Sequence, residues 1–353
     1  MKKLRRNRAV GMLAAALFGA CLANPGGSMA RVGDARATVK TPPRDWKQAP
    51  AIAQVDTKHD LYAVGDIHGD YGRLVALLAA GKIIAADPKA PADVEWKAGK
   101  AVLVCTGDVI DKDDHALPAI ALLRKLQHDA AGAGGRVIVT MGNHEAEFLA
   151  DHDGDTKDKD FLKELKAPGI TPDQIVAGMD SLGLGKFFLA MPIAARVNDW
   201  FFCHAGNTHN LSIPALDSAL QAGIDADGYG APILSAKDSL VAARMHPHPW
   251  WEVPGNTPAQ DRAALAATVR ALGVNHLVFG HQPGAVTFAD GTTRAQGTLV
   301  QKFGGLVFLI DAGMSKGVGY SQGYLLKVHK GGTEGTVIDH TGKETPIWTK
   351  PKP

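Results

Sequence analysis

The sequence predicts an α/β protein in which mixed sheets are layered with helices, and three observations predict it. Apolar runs of strand length recur at 61–64, 101–105, 136–141, 200–203, 276–279 and 306–310. Apolar residues at helical spacing lie between several of these runs. The segments 190–197 and 200–204 flank Asn198-Asp199, the signature of a tight hairpin turn. Strands alternating with helices and then closing a hairpin give layered α/β architecture.

At the start of the chain, Lys2, Lys3, Arg5, Arg6 and Arg8 form a basic cluster ahead of the uncharged stretch 9–23. That stretch is shorter than the roughly 20 residues a spanning helix needs, and it matches the apolar core of a signal peptide. Residues 1–30 are therefore expected to be a signal peptide, cleaved after Ser28-Met29-Ala30. A competing site, Phe18-Gly19-Ala20-Cys21, resembles a lipoprotein box with Phe where Leu is usual. An exported protein, periplasmic or secreted, is the expectation, with membrane attachment only through lipid at Cys21. Residues 31–58, polar and holding Pro42, Pro43 and Pro50, read as a surface lead-in. One domain is expected over 59–345, with 346–353 as a tail. Leu74, Leu77 and Leu78 share a helix face after the first run, and Ile120, Leu123 and Leu126 do so after the second. Ala264, Leu265, Thr268 and Leu272 form another face, with Thr257-Pro258 as its cap and first turn.

Residues 151–185 interrupt this rhythm with Asp151, Asp153, Asp155, Asp158 and Asp160. A calcium loop of the EF-hand kind counted from Asp151 needs Gly at its sixth position and Glu at its twelfth, where Thr156 and Leu162 stand. The segment reads instead as a solvated acidic insertion, placed where it could serve as a lid.

Composition removes several classes of function. With 353 residues, 38 Lys+Arg against 36 Asp+Glu and 45% hydrophobic residues, the chain is neither disordered nor polyanion-seeking. Loss of residues 1–30 takes five positive and no negative charges and turns the formal charge from +2 to −3. No basic stripe then tracks a phosphate backbone, so no nucleic-acid partner is expected. Three cysteines exclude a disulfide scaffold, and Cys105 and Cys203, inside apolar runs, are expected as buried thiols.

The residues just past the strand-like runs carry the chemistry. The first run leads into Gly65-Asp66-Ile67-His68-Gly69-Asp70, the second into Gly107-Asp108-Val109-Ile110-Asp111-Lys112-Asp113, and the third into Gly142-Asn143-His144-Glu145. The fourth delivers His204-Ala205-Gly206 and the fifth Gly280-His281-Gln282. Open α/β sheets gather ligands at such strand ends. The inventory suits a pair of divalent ions. Asp66 and His68, two apart, can share a face of an extended segment. Asp108 has two oxygens with which to bridge, and Asn143, His204 and His281 would complete a second shell. Mixed nitrogen and oxygen donors fit Mn, Fe or Zn better than Ca or Mg. Two divalent ions against two carboxylates leave positive charge for hydroxide and a phosphate. Ions about 3.5–4 Å apart generate hydroxide at neutral pH and clamp a phosphoryl group for in-line displacement.

The ordered motifs GDIHG, GDVIDK and GNHE, followed by separated His204 and His281, resemble the calcineurin-like metallophosphoesterases. Within them they most resemble the phosphoprotein-phosphatase branch, particularly its bacterial Shewanella-like group. Ile310-Asp311-Ala312-Gly313-Met314-Ser315 is similar to the segment that closes those domains. The resemblance implies a β-sandwich of mixed sheets flanked by helices, with a dimetal site at the strand-end loops. It implies that Asp66, His68 and Asp108 hold one ion and that Asp108, Asn143, His204 and His281 hold the other. It also implies that His144 is the general acid, oriented by Asp111; an imidazolium beside a carboxylate is a sound acid pair. This chain has Lys112 where the family usually has Arg. Lysine meets phosphate as a point charge without the planar fork, so Arg244, near the loop 245–251, is the candidate for the missing guanidinium. His246-Pro247-His248 is a candidate border of the substrate site.

The expected function is metal-dependent hydrolysis of phosphomonoesters on phosphoproteins or phosphopeptides, with small phosphomonoesters as further substrates. Two rivals differ in class. A nucleotide or dinucleoside-polyphosphate hydrolase of the same superfamily would need a base-stacking slot. A non-catalytic metal-binding scaffold would have a degraded ligand or acid position, and none of these positions is degraded.

Overall fold

The computed structural model describes residues 39–86, 88–152 and 159–351. The expected signal segment with Cys21, and Asp153, Asp155 and Asp158 of the acidic insertion, lie outside the described residues. From Val39 onward the chain is one compact unit. It begins with β1 (Ile52–Val55), β2 (Leu61–Val64), α1 (Tyr71–Ala80), β3 (Val102–Cys105), α2 (Ala116–Gly132), β4 (Arg136–Val139) and α3 (Asn143–Ala150). Three short helices follow, α4 (Lys159–Glu164), α5 (Pro172–Val176) and α6 (Leu184–Ala190), and then the hairpin β5 (Ala194–Val197) and β6 (Trp200–Cys203). Next come α7 (Ile213–Asp227), α8 (Pro232–Ser235), α9 (Pro258–Ala271), β7 (His276–Phe279), β8 (Val286–Thr287) and β9 (Thr293–Arg294). The chain closes with β10 (Val300–Lys302), β11 (Val307–Leu309), β12 (Tyr324–Val328), β13 (Glu334–Asp339) and β14 (Glu344–Thr349).

Two mixed six-stranded sheets result, ordered β1-β5-β6-β7-β11-β10 and β14-β13-β12-β2-β3-β4. The predicted mixed α/β layering is therefore correct. Side chains alternate across each strand, and this alternation builds two kinds of core. Leu61, Ala63, Val102, Val104 and Leu326 from one sheet pack with Ala195, Trp200, Phe202, Val278 and Phe308 from the other. The alternate residues, such as Val64, Leu103, Phe201 and Leu277, join the helices in the second core. Cys105 and Cys203 belong to this second set and are both free and buried. They face outward from different sheets, so they do not meet.

Local chemistry sets the helix starts. Thr257 accepts a hydrogen bond from Gln260 N, with Pro258 in the first turn of α9. Asp70 caps α1 through Arg73 N at 2.9 Å, and the predicted Leu74, Leu77 and Leu78 form its buried face. Asn198 takes the left-handed conformation (φ 54°) that the β5–β6 turn requires.

Three boundaries differ from expectation. The surface lead-in contains β1, whose Ile52 and Ala53 are buried and pair in parallel with Ala194 and Ala195. The strand is only four residues, Gln54 among them, within a polar stretch, and its partner lies far along the chain. The tail contains most of β14, an edge strand that admits Pro346 and buries only Trp348. Trp348 closes the inter-sheet core against Trp200 (5.6 Å between ring centroids) and His276 (4.7 Å). The insertion, expected to be solvated, buries Phe161, Leu165, Ile170, Ile175 and Val176. Its aspartates hid an apolar set that packs beneath α3.

Candidate metal centre at the sheet rim

The turns leaving β2, β3, β4, β6, β7 and β11 meet on one rim, so both sheets contribute to a single cluster. Sharp reversals bring the side chains together. His68 (φ 46°), Asp108 (φ 48°), Asp111 (φ 71°), Lys112 (φ 69°) and His281 (φ 64°) all adopt left-handed backbone, which is uncommon for residues with a Cβ and gathers at functional sites. Glycines allow close approach. A Cβ at Gly142 would stand 2.1 Å from Asp108 Oδ1, and one at Gly280 would stand 2.1 Å from Asp66 Oδ1.

Asp66, His68, Asp108, Asn143, His204 and His281 are all buried and converge, as the sequence predicts. His204 Nδ1 faces the carbonyl of Thr106 at 2.8 Å, which fixes the ring and turns Nε2 inward. Around that Nε2 stand His281 Nδ1 at 2.9 Å, Asn143 Oδ1 at 3.1 Å and Asp108 Oδ2 at 3.2 Å. Asn143 donates its amide to Glu147 Oε1 at 3.2 Å, so its oxygen faces the cluster. His68 is held likewise: Nδ1 faces the Ile110 carbonyl at 3.1 Å, and Nε2 lies 3.6 Å from Asp108 Oδ2. Asp66 accepts from His281 N at 3.1 and 3.2 Å.

Lone pairs thus converge where only positive charge can reconcile them. Asp108, His204 and His281 form one group of possible metal-holding atoms, and His68, Asp108 and His144 another, with Asp108 common to both. Nε2 of His281 is a buried nitrogen with no hydrogen-bond partner among the described residues. The donor set therefore fits divalent cations of mixed nitrogen and oxygen preference.

Electrostatics follow from the same geometry. Burial would raise Asp108, but the imidazoles of His204, His144 and His68 override it and hold its carboxyl well below the usual range. Burial pushes His68 down to about 4. Burial, then Asp311 and Asp108, pushes Asp66 well up. His144 Nδ1 lies 3.1 Å from Asp111 Oδ2, and its Nε2 lies 3.9 Å from Asp108 Oδ2. Burial alone would lower His144, yet Asp108 and Asp111 hold it up at about 9.

Not every expected residue is engaged. Arg244 reaches the cluster's edge, its guanidinium donating to the carbonyl of His281 at 3.2 Å. Lys112 is exposed, and its ammonium forms no ion pair among the described residues. The geometry adds three residues to which the motif reading gave no role. Glu145, fully buried, accepts from Val109 N (2.7 Å) and Ile110 N (3.1 Å) through Oε1, and from Asp108 N (3.0 Å) and Gly142 N (2.9 Å) through Oε2. One carboxylate thus locks the second motif loop to the third; its place three residues into a helix start was the available signal. Arg294, also buried, donates to the carbonyls of Gln282 at 2.5 Å, Thr298 at 2.7 Å and Asp311, and so backs the His281 turn. Asp311 is buried behind Asp66 and accepts from Gly313 N at 2.8 Å. Arg294 lies in a stretch without periodicity, so nothing local announces it.

The chain is similar to several known proteins. The family model for calcineurin-like phosphoesterases matches residues 60–285, from before Asp66 to beyond His281. Shewanella-like protein phosphatase 1 of Plasmodium berghei (strain Anka) is 26% identical over 273 residues, 75% of this chain and 69% of that one. Shewanella-like protein phosphatase 2 of Arabidopsis thaliana is 36% identical over 86 residues, 24% of this chain and 20% of that one. The chain thus spans about a fifth of the plant relative's length. The crystal structure of a cold-active protein-tyrosine phosphatase of a psychrophile Shewanella sp. has the same fold, with a TM-score of 0.63 at 21% identity, covering 83% of this chain and 82% of that one. With a family model matched across well over half its length, the chain belongs to the calcineurin-like phosphoesterase family.

Proposed function

We propose that this protein is a metal-dependent phosphatase that hydrolyses phosphomonoesters, principally on phosphoproteins or phosphopeptides. The observation that carries the reading is the gathering of Asp66, His68, Asp108, Asn143, His204 and His281 with the His144–Asp111 pair on one rim, where His68, Asp108, His204 and His281 could hold metal ions. Names of two relatives as protein phosphatases support the substrate class. Two ions, with manganese as the first to test, would be held by Asp66, His68 and Asp108 on one side and by Asp108, Asn143, His204 and His281 on the other. When bound, such ions neutralise phosphate charge and lower the pKa of water.

The remaining steps belong to the chain's own residues. Asp111 holds Nδ1 of His144, so the transferable proton sits on Nε2, toward the cluster. Asp111, paired with Nδ1, favours the protonated ring, as an acid that protonates a leaving oxygen must be. Arg244 is proposed to meet phosphate oxygens, with Lys112 as a more mobile point charge. Residues 1–30 are proposed as an export signal; N-terminal sequencing of the protein recovered outside the cytoplasm tests this.

The decisive experiment uses residues 31–353 stripped of metal and then resupplied with manganese, assayed on para-nitrophenyl phosphate. Hydrolysis that appears only with metal is expected, followed by activity on a phosphopeptide panel. A folded, metal-loaded protein without activity would overturn the monoesterase reading and direct testing to diesters and nucleotides. The scaffold reading would gain only if those failed as well.

A further inference from the structure

The acidic insertion contains a short helix that makes contacts on both sides of the His144–Asp111 pair. Asp160 N in α4 donates to Asp111 Oδ1 at 3.3 Å, on the carboxylate whose other oxygen meets His144. One turn on, Glu164 accepts from Ala116 N at 2.8 Å and Leu117 N at 2.9 Å, the first two donors of α2. A helix start leaves such donors unpaired, and His115, the residue at the cap position, supplies no side-chain bond. Glu164 fills that role from a distant segment. It thereby anchors α2 immediately after the loop that carries Asp111. Between these two contacts, Phe161 is fully buried, 5.3 Å from Phe148 and 5.8 Å from Phe188 between ring centroids. Phe148 lies one turn beyond His144 in α3. A single helix therefore grips the element bearing His144, the loop bearing Asp111, and Asp111 itself.

We infer that α4 is a strut that fixes His144 against Asp111, and that Glu164 is a positioning residue for protonation of the leaving group. The insertion then serves the acid half of the reaction, while metal binding is independent of it. This inference rests on the monoesterase reading, in which His144 delivers that proton. As an oxygen from water bonds to phosphorus, the phosphorus–oxygen ester bond breaks, its electron pair leaves with the departing oxygen, and that oxygen takes the proton from His144 Nε2.

The test compares metal-loaded wild type, Glu164→Ala and Glu164→Gln on two aryl phosphates. Nitrophenol departs readily without a proton, whereas phenol needs one. Glu164→Ala is expected to keep its bound metal and nearly all para-nitrophenyl phosphate turnover while losing about tenfold in kcat on phenyl phosphate, a fraction of what general acid catalysis supplies. Glu164→Gln keeps one acceptor oxygen and is expected to recover part of the loss, to about threefold. If Glu164→Ala does not fold, Glu164→Gln decides the matter on the same comparison. Equal losses on both esters, or no loss on either, would overturn the strut. The nitrogen-15 resonances of the His144 ring supply a second reading without turnover, and they are expected to shift in Glu164→Ala; unmoved resonances would also overturn it. Should wild type hydrolyse neither ester, the monoesterase reading fails, and the ring resonances still decide whether α4 positions His144.

Discussion

Replacing Glu145 with Gln tests how much of the site depends on one carboxylate. Its two oxygens take four backbone N–H groups, Val109 and Ile110 on Oε1, Asp108 and Gly142 on Oε2, all between 2.7 and 3.1 Å. Glutamine presents one oxygen and one NH2, so either orientation keeps one pair of donors and turns an amide against the other. Each lost bond to a charged acceptor is worth about 1.5–3 kcal/mol, and the abandoned donors are buried. The offset is relief of a buried charge, because burial and then Asp108 already push the Glu145 carboxyl up. Two losses less this relief give a net cost of about 2–4 kcal/mol. Urea unfolding of metal-free protein measures it as a lower midpoint at unchanged slope. The freed loop also carries Asp108, so manganese affinity should fall in parallel. A variant whose midpoint and manganese affinity both matched wild type would refute the claim that Glu145 ties the second loop to the third.

Other expectations arise from individual contacts. His144→Ala should lower kcat by about 10²–10⁴ while retaining metal, measured by steady-state kinetics beside elemental analysis; full turnover would remove His144 as the acid. Trp348→Ala should cost about 3–5 kcal/mol in chemical unfolding, since it empties the ring contact with Trp200 and His276 and the bond to the Gly304 carbonyl; a loss under about 1 kcal/mol would return β14 to the status of a tail. His276 is held below the ordinary histidine value by burial, stacked 4.0 Å from Trp200. The unfolded chain therefore takes up the proton first, near pH 6.5, so stability is full above that value and falls as pH drops toward the depressed folded value. His276→Gln should thus differ less from wild type at pH 5.5 than at pH 7.5, and a gap independent of pH would contradict the linkage. Stripping metal should lower the thermal midpoint and manganese should restore it, since a ligand bound only by the folded state stabilises it by mass action.

The site was far more legible in the sequence than its supports. Asp66, His68, Asp108, Asn143, His204 and His281 stand directly after apolar runs, where local pattern reveals both the strand and the turn. Their chemistry is also unusual enough to be noticed. Glu145, Arg294 and Glu164 act on backbone groups from other segments, and any segment offers the same N–H and C=O, so nothing in the sequence marks the partner. β1 and β14 escaped notice for different reasons. β1 is short and made a strand by a neighbour remote in sequence, whereas β14 is masked by its own polar positions although its partner β13 directly precedes it. In the insertion, counting aspartates drew attention to charge, while Phe161, Leu165, Ile170 and Ile175 at wider spacing determined where the segment packs.

Because Asp66, His68, Asp108 and Asn143 leave one sheet while His204 and His281 leave the other, the candidate cation site spans a seam. Any sliding of one sheet over its partner would alter the distance between those two sets of donors directly. The ring stack of Trp200, His276 and Trp348 resists such sliding from within the sandwich, and an ion at the rim would pin the same seam from its edge. Donor spacing and sheet registry are then one mechanical variable, so substitutions deep between the sheets should tune metal affinity without touching a candidate ligand.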